Sequence, residues 1–216
     1  SFEGEIKSWE YSMRGHQDQS VQRYCDITGV DRTTLKEVST PCMDDHQFNP
    51  SDFEIQGTIK PNASKIIFKC LYAARVNRMD LYWTVNALAR NVTKWTVADG
   101  KRLHKLICYI EHSKDLVLKA HIGDYPEHIR LIEFVDASFA GDLTDSKSTS
   151  ASIQCLIGPR TFVPLTWMCK KQGCVSHSST EAEVVALEMA VRMEVLIGLQ
   201  LWDSVIDVYD LSLIHI

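Results

Sequence analysis

Apolar residues recur at helical spacing in two parts of the chain and at strand spacing between them. Ile66, Ile67, Cys70, Leu71 and Ala74 mark one amphipathic helix, and Leu81, Val85, Leu88 and Ala89 mark a second. A third helix runs from about Val97 to Glu111 through Leu103, Leu106, Ile107 and Ile110. Asn77-Arg78-Met79-Asp80 interrupts the first two, and Trp95 precedes the third. Gly123-Asp124-Tyr125-Pro126 then breaks the pattern and sets a domain boundary. Beyond it, 129–136, 150–157 and 162–168 read as strands, the last two joined by a tight turn at Gly158-Pro159-Arg160. Ser176-His177-Ser178-Ser179-Thr180-Glu181-Ala182-Glu183 writes a helix start, with Ser178/Glu181 and Thr180/Glu183 each fitting a capping box. From Val184 the apolar positions Leu187, Val191, Val195, Leu199 and Trp202 predict one buried face.

The first 57 residues carry little such pattern. Residues 10–22 predict a weakly marked helix, while Ser39-Thr40-Pro41 and Phe48-Asn49-Pro50-Ser51-Asp52 read as turns and loop. This arm is expected to be poorly structured.

The net charge of −5 conceals three blocks. Residues 1–57 hold 5 Lys/Arg against 11 Asp/Glu, 58–120 hold 12 against 4, and 121–216 hold 6 against 13. A basic middle followed by an acidic end suits a polyanion gripped by one part and processed with metal ions by another. A pair of solvated faces explains the same numbers. No window of eighteen apolar residues occurs, and Ser1-Phe2-Glu3-Gly4-Glu5 does not begin a signal peptide. The seven cysteines are scattered; Cys169, Cys174 and His177 form the one tight group, without a fourth ligand at zinc spacing, so reduced thiols are expected.

The chemistry concentrates in two acids. Asp136 arrives where the apolar run Leu131-Ile132-Glu133-Phe134-Val135 ends, and Glu181 and Glu183 stand in the first turn of a helix. An acid at a strand end opposite an acid at a helix start can share a divalent cation, because hard Mg²⁺ takes carboxylate oxygens from separate elements. A turn residue and a pair of capping acids are the plainer explanation of each.

Four stretches in order resemble one family: Phe134-Val135-Asp136-Ala137-Ser138-Phe139-Ala140-Gly141-Asp142; Ser148-Thr149-Ser150-Ala151; Thr166-Trp167 with Lys170-Lys171-Gln172; and Ser178 to Glu183. They are similar to the ribonuclease H domain of copia-type retrotransposon Pol polyproteins. The resemblance covers roughly 24–210. It implies an α/β, overall α+β, chain in which a helical thumb- or connection-like segment precedes an incomplete ribonuclease H-like fold of three strands and a first helix. The implied divisions are 1–57, an arm leaving the reverse transcriptase palm; 58–122, the helical segment; and 123–210, the ribonuclease H part. Residues 211–216 resemble translated sequencing adaptor.

By residue match, Asp136 is the first catalytic and metal-binding acid and Glu183 the helix acid, with Glu181 the alternative. The cofactor implied is Mg²⁺, two ions in the complete domain. Lys94, Lys101, Arg102 and Lys105 are candidate phosphate contacts on a template–primer duplex, and Ser148, Thr149, Gln172, Ser178, Ser179 and Thr180 on an RNA–DNA hybrid. The remaining partner is the rest of the polyprotein, with no membrane, and the setting is intracellular: cytoplasm, virus-like particle or nucleus. Where the family commonly has Arg-Pro-Asp, this chain has Arg78-Met79-Asp80. The family's third and fourth acids find no match, since neither Asp207 nor Asp210 precedes Asn. The chain as written is therefore expected to have little or no hydrolytic activity. The rival expectation is a non-catalytic nucleic-acid-binding module whose acids only cap.

Overall fold

A computed structural model of the chain describes residues 5–141 and 145–214, with 210–214 described by backbone alone. Asp142 of the first motif, the side chain of Asp210 and the side chains of the adaptor-like tail lie outside the described residues. The chain divides into two compact units, Tyr11–Leu118 and Ser1–Glu10 with Lys119–Ile216.

The first unit is helical: α1 (Arg14–Thr28), α2 (Ala63–Val76), α3 (Tyr82–Arg90) and α4 (Val97–Ser113). Gly29, at φ +73°, ends α1 by returning its N–H to the Cys25 carbonyl, a left-handed cap that glycine adopts without a Cβ penalty. Thr96 and Asp99 close a reciprocal box at the start of α4. Ile66, Ile67, Leu81, Val85, Leu88, Leu103, Leu106, Ile107 and Ile110 form a core from which water is almost fully excluded. Each of the three sequence-read helices contributes its apolar stripe to it.

The arm differs from expectation. Val21, Tyr24 and Cys25 of α1, and Leu35 beyond it, belong to the same core. Between residues 30 and 59 the chain forms three short 3₁₀ turns, Arg32–Thr34, Asp45–Gln47 and Pro50–Phe53. The helical pattern of α1 is thin because its buried face also carries Gln17 and Ser20. Each finds an internal partner: the Gln17 Oε1 accepts from Arg78 at 2.8 Å, its Nε2 staying unpartnered, and Ser20 donates to the His16 carbonyl at 2.8 Å.

The second unit contains a five-stranded sheet in the order β1-β2-β5-β4-β3, from β1 (Lys7–Tyr11), β2 (Leu118–Ile122), β3 (Arg130–Ser138), β4 (Thr149–Gly158) and β5 (Thr161–Lys171). The pairs β2/β5, β5/β4 and β4/β3 are antiparallel. Two strands were not expected. Because β2 pairs with β5, His121 facing Phe162, the division falls four residues before the Gly123 break. Pro159-Arg160 turns the β4–β5 hairpin, and Arg160 N–H donates to Asp124 at 2.7 Å. A bulge between Gln154 and Cys155 admits Pro164, which cannot donate to a regular ladder.

Helix α5 (Ser179–Ala190) packs on β3 and β4 and continues through a π turn, Val191–Val195, into α6 (Leu196–Ile214). Its buried face is Ala182, Ala186, Met189 and Ala190, joined by Val135, Met168 and Met193. The stripe read from sequence as buried does not match this face. Val184 is 61 % exposed and Leu187 53 %, with Val191 and Leu199 also exposed and Val195 and Trp202 partly buried. Alanines allow α5 to approach the sheet closely, which leaves Val184 and Leu187 on its outer side, and the π turn shifts the helical phase for the residues that follow it. Gly198 continues the close approach: a Cβ there would fall 2.0 Å from Gln154 Oε1.

Candidate functional site

The junction between the sheet and the start of α5 is fixed by one buried amide. Gln172, 2 % exposed, donates from Nε2 to Ser150 Oγ (3.0 Å) and to the Ala182 carbonyl (2.9 Å), while its Oε1 accepts from Ser176 Oγ (3.2 Å). Its backbone N–H donates to the Ser148 carbonyl, and Ser148 Oγ accepts the Ala140 N–H at 3.1 Å. Ser148 and Gln172, expected as nucleic-acid contacts, are thus both buried and engaged in internal hydrogen bonds. Thr149 is half-buried at the head of β4, opposite Ser138 and Lys171.

Ser178 is the N-cap and accepts the Glu181 N–H at 3.1 Å, and Glu181 Oε2 accepts the His177 N–H at 2.7 Å. The Ser178/Glu181 cap thus forms, its return bond reaching one residue further back than in the usual box. Thr180 is not a cap; it lies inside the first turn with Ser179. Ser178, Ser179, Thr180 and Glu183 are all exposed at this end of the helix. Glu181 is committed to the cap.

Asp136 is exposed on β3, opposite Ala151. Its neighbour Val135 joins the apolar cluster with Met189 and Ala190, so alternation turns Asp136 to the other face of the sheet, with Phe134. Because β3 is an edge strand, a cation shared by Asp136 and Glu183 would have to sit around that edge. Among the described residues no group of three or more His, Cys, Asp or Glu side chains gathers as a metal site. Two carboxylates do not fit a pair of Mg²⁺ ions by themselves.

The basic residues separate by partner. Lys101 pairs with Asp52 at 2.6 Å. Arg102 pairs with Asp45 and, at 3.6 Å, with Asp99, and lies 4.8 Å over the Phe48 ring. Lys94 is exposed beside α4, and Lys105 lines a cavity. The acidic arm and the basic middle fold into one unit, in which 15 Lys/Arg stand against 12 Asp/Glu between residues 11 and 118. Charge segregation along the sequence largely cancels in space.

Sequence reading missed Glu133. Both its carboxylate oxygens, Ser152 Oγ and Gln154 Nε2 are buried without hydrogen-bond partners, on the face beneath the π turn and α6. Burial pushes the Glu133 carboxyl above the usual range; nearby Ser152 and Gln154 pull it down, and Glu194 pushes it further up. The signal was an acid at an inward-alternating strand position.

These features define a mixed α/β protein with a helical unit and a sheet unit. No protein-family model matches the chain, and no solved structure matches it. It is similar to the secreted RxLR effector protein 161 of Plasmopara viticola, 28 % identical over 123 residues, which span 56 % of this chain and 81 % of that protein.

Proposed function

We propose that this chain is part of a copia-type reverse transcriptase–ribonuclease H protein, carrying two acids of a centre that hydrolyses the RNA strand of RNA–DNA hybrids. The observation that supports the reading is the order of elements around the matched motifs. An antiparallel β3–β4–β5 meander carries Asp136 on its first strand and leads into a helix on the sheet, whose first turn commits Glu181 to capping and leaves Glu183 exposed. In the complete protein, Asp136 and Glu183 together with further acids of the family would hold Mg²⁺, whose chemistry there would be Lewis-acid assistance to phosphodiester hydrolysis. The 2′-hydroxyl, displayed in the wide minor groove, would distinguish RNA from DNA. Ser178, Ser179 and Thr180, exposed at the start of α5, would contact the sugar–phosphate backbone, and Lys94 and Lys105 are the better phosphate candidates among the basic four. An intracellular setting belongs to the same reading; among the described residues no helix is long and apolar enough to cross a membrane.

A second reading, a non-catalytic module in which the acids only cap, draws on two facts. Asp136 alternates away from the helix-covered face, and the similar protein bears the name of an effector. Cleavage of a labelled RNA–DNA hybrid in Mg²⁺ separates the two. The 216-residue chain is expected to show little or none. A polypeptide extended along its natural reading frame is expected to cleave, to lose cleavage in Asp136→Asn and Glu183→Gln, and to keep it in Glu181→Gln. Cleavage surviving Glu183→Gln would remove the helix-acid assignment, and an inert extended chain would favour the module.

A further inference from the structure

Within the helical unit, α1, α4 and the segment 30–59 enclose a cavity of about 900 Å³, a size that takes a small organic ligand. Its walls include Val38, Met43, Ile59 and Trp95. Trp95 is 1 % exposed, and its indole N–H has no hydrogen-bond acceptor. A buried donor without a partner is uncommon, because the lost hydration is then uncompensated. The Cδ1 edge of the indole packs closely against the Gly57 backbone. Gly57, itself a lining residue, donates its N–H to the Trp95 carbonyl at 3.1 Å, and a Cβ on Gly57 would fall 2.6 Å from Trp95 Cδ1. Cδ1 is the carbon bonded to the unpartnered nitrogen.

Lys36, Lys101 and Lys105 line the same cavity, and among the described residues no Asp or Glu does. Lys101 is drawn to Asp52, which leaves Lys36 and Lys105 as the cations that a ligand meets. Tyr24 and His104 close part of the wall by a 2.8 Å hydrogen bond, and burial lowers the His104 pKa, so that this wall stays neutral near pH 7. Apolar walls disfavour a polyphosphate, and the lysines disfavour a cation. We propose that the cavity binds a carboxylate with a single apolar body, a medium-chain or aryl carboxylic acid. Its oxygens would accept from the lysine ammonium groups while its body displaces water from the walls. This site uses none of the acids on β3 or α5, and of the residues invoked in the hydrolytic reading it shares only Lys105.

Decanoate and decanol, titrated into the full chain by calorimetry, provide the test. Decanoate is expected to bind saturably at one site, and decanol, with the same tail and no charge, at least about fivefold more weakly, the value of one partly exposed charge pair. Replacing Lys36 and Lys105 with Ala should weaken decanoate by at least that factor and leave decanol unchanged. Gly100 lines the cavity from α4, and a Cβ added there meets no atom within 4 Å. Gly100→Leu therefore extends a side chain from a wall position where a Cβ is free of contacts, and removing a helical glycine should not lower thermal stability. That variant should abolish binding of both probes while unfolding at or above the wild-type temperature. Absence of decanoate binding, equal affinity for decanol, or binding undiminished in a folded Gly100→Leu protein would each overturn the proposal.

Discussion

Glu181 Oε2 holds the backbone N–H of His177 at 2.7 Å, closing the exposed N-terminus of α5 from its own first turn. Two carboxylates two residues apart therefore have different duties. Glu181→Ala removes an acceptor from an otherwise open helix end and should cost about 1 kcal/mol. Glu183→Ala changes an exposed surface residue and should stay within about 0.5 kcal/mol. Chemical denaturation of the two variants checks this ordering; equal losses would place Glu183 in the cap as well.

Glu133 predicts a pH dependence of the opposite sign to the usual carboxylate. Its folded pKa lies above the ordinary Glu value of 4.5, so between the two the folded state holds more protons than the unfolded one. Its stabilising contribution is complete below pH 4.5 and is lost as the pH rises through the raised value. Glu133→Gln keeps the shape and removes the ionisation. The variant should be more stable than wild type at pH 7 to 8 and the difference should shrink toward pH 4. A difference that grows on acidification would mean that Glu133 is paired in the folded state.

The helices 63–76, 82–90 and 97–113 and the meander were legible because each carries a period, 3.6 or 2, and clear stops at Asn77–Asp80, Gly123 and Pro159. The failures share a cause. Gln17 and Ser20 blurred the face of α1, β1 and β2 are only five residues each, and alanines hid the true contact face of α5 behind a brighter stripe of Val and Leu. Apolar size is a poor guide where close approach is what the fold requires. At the candidate site, the residue types and the cap were visible in the sequence. Gln172 and Ser148 were not separable from surface contacts, because burial of an amide depends on partners distant in the chain, here Ser150 and Ala182.

Lys101 and Arg102 should affect stability before they affect nucleic-acid binding. Arg102→Ala removes ion pairs to Asp45 and Asp99 and the stacking on Phe48, and should cost about 1–3 kcal/mol. If the chain binds hybrid duplex, its salt dependence should flatten more in a Lys94→Ala, Lys105→Ala double variant than in a Lys101→Ala, Arg102→Ala one, because released counterions track ammonium groups not already neutralised. Binding isotherms at several salt concentrations measure both slopes. The reverse order would show that Asp45 and Asp52 yield their cations to phosphate.

Arg78 is 2 % exposed and uses all five of its N–H donors. Nε and Nη2 grip Asp80 at 2.9 and 2.7 Å, Nη1 reaches Gln17 Oε1 (2.8 Å) and the Ser113 carbonyl (2.9 Å), and Nη2 also reaches Ser113 Oγ (2.7 Å). One guanidinium thereby joins α1, the turn before α3 and the end of α4. The order of loss on substitution follows from how many partners are stranded. Arg78→Ala leaves the buried Gln17 oxygen and the Ser113 carbonyl unmatched and should cost about 3–5 kcal/mol, the scale of breaking a buried ion pair. Arg78→Lys keeps the charge but has three donors on a point-like head and should fall between. Asp80→Asn should cost least, about 1–2 kcal/mol, because the Asp80 side chain is 34 % exposed and water compensates part of its loss. Urea unfolding of the three variants gives the order directly. An Arg78→Ala protein within 1 kcal/mol of wild type would mean that the helical unit closes without this junction.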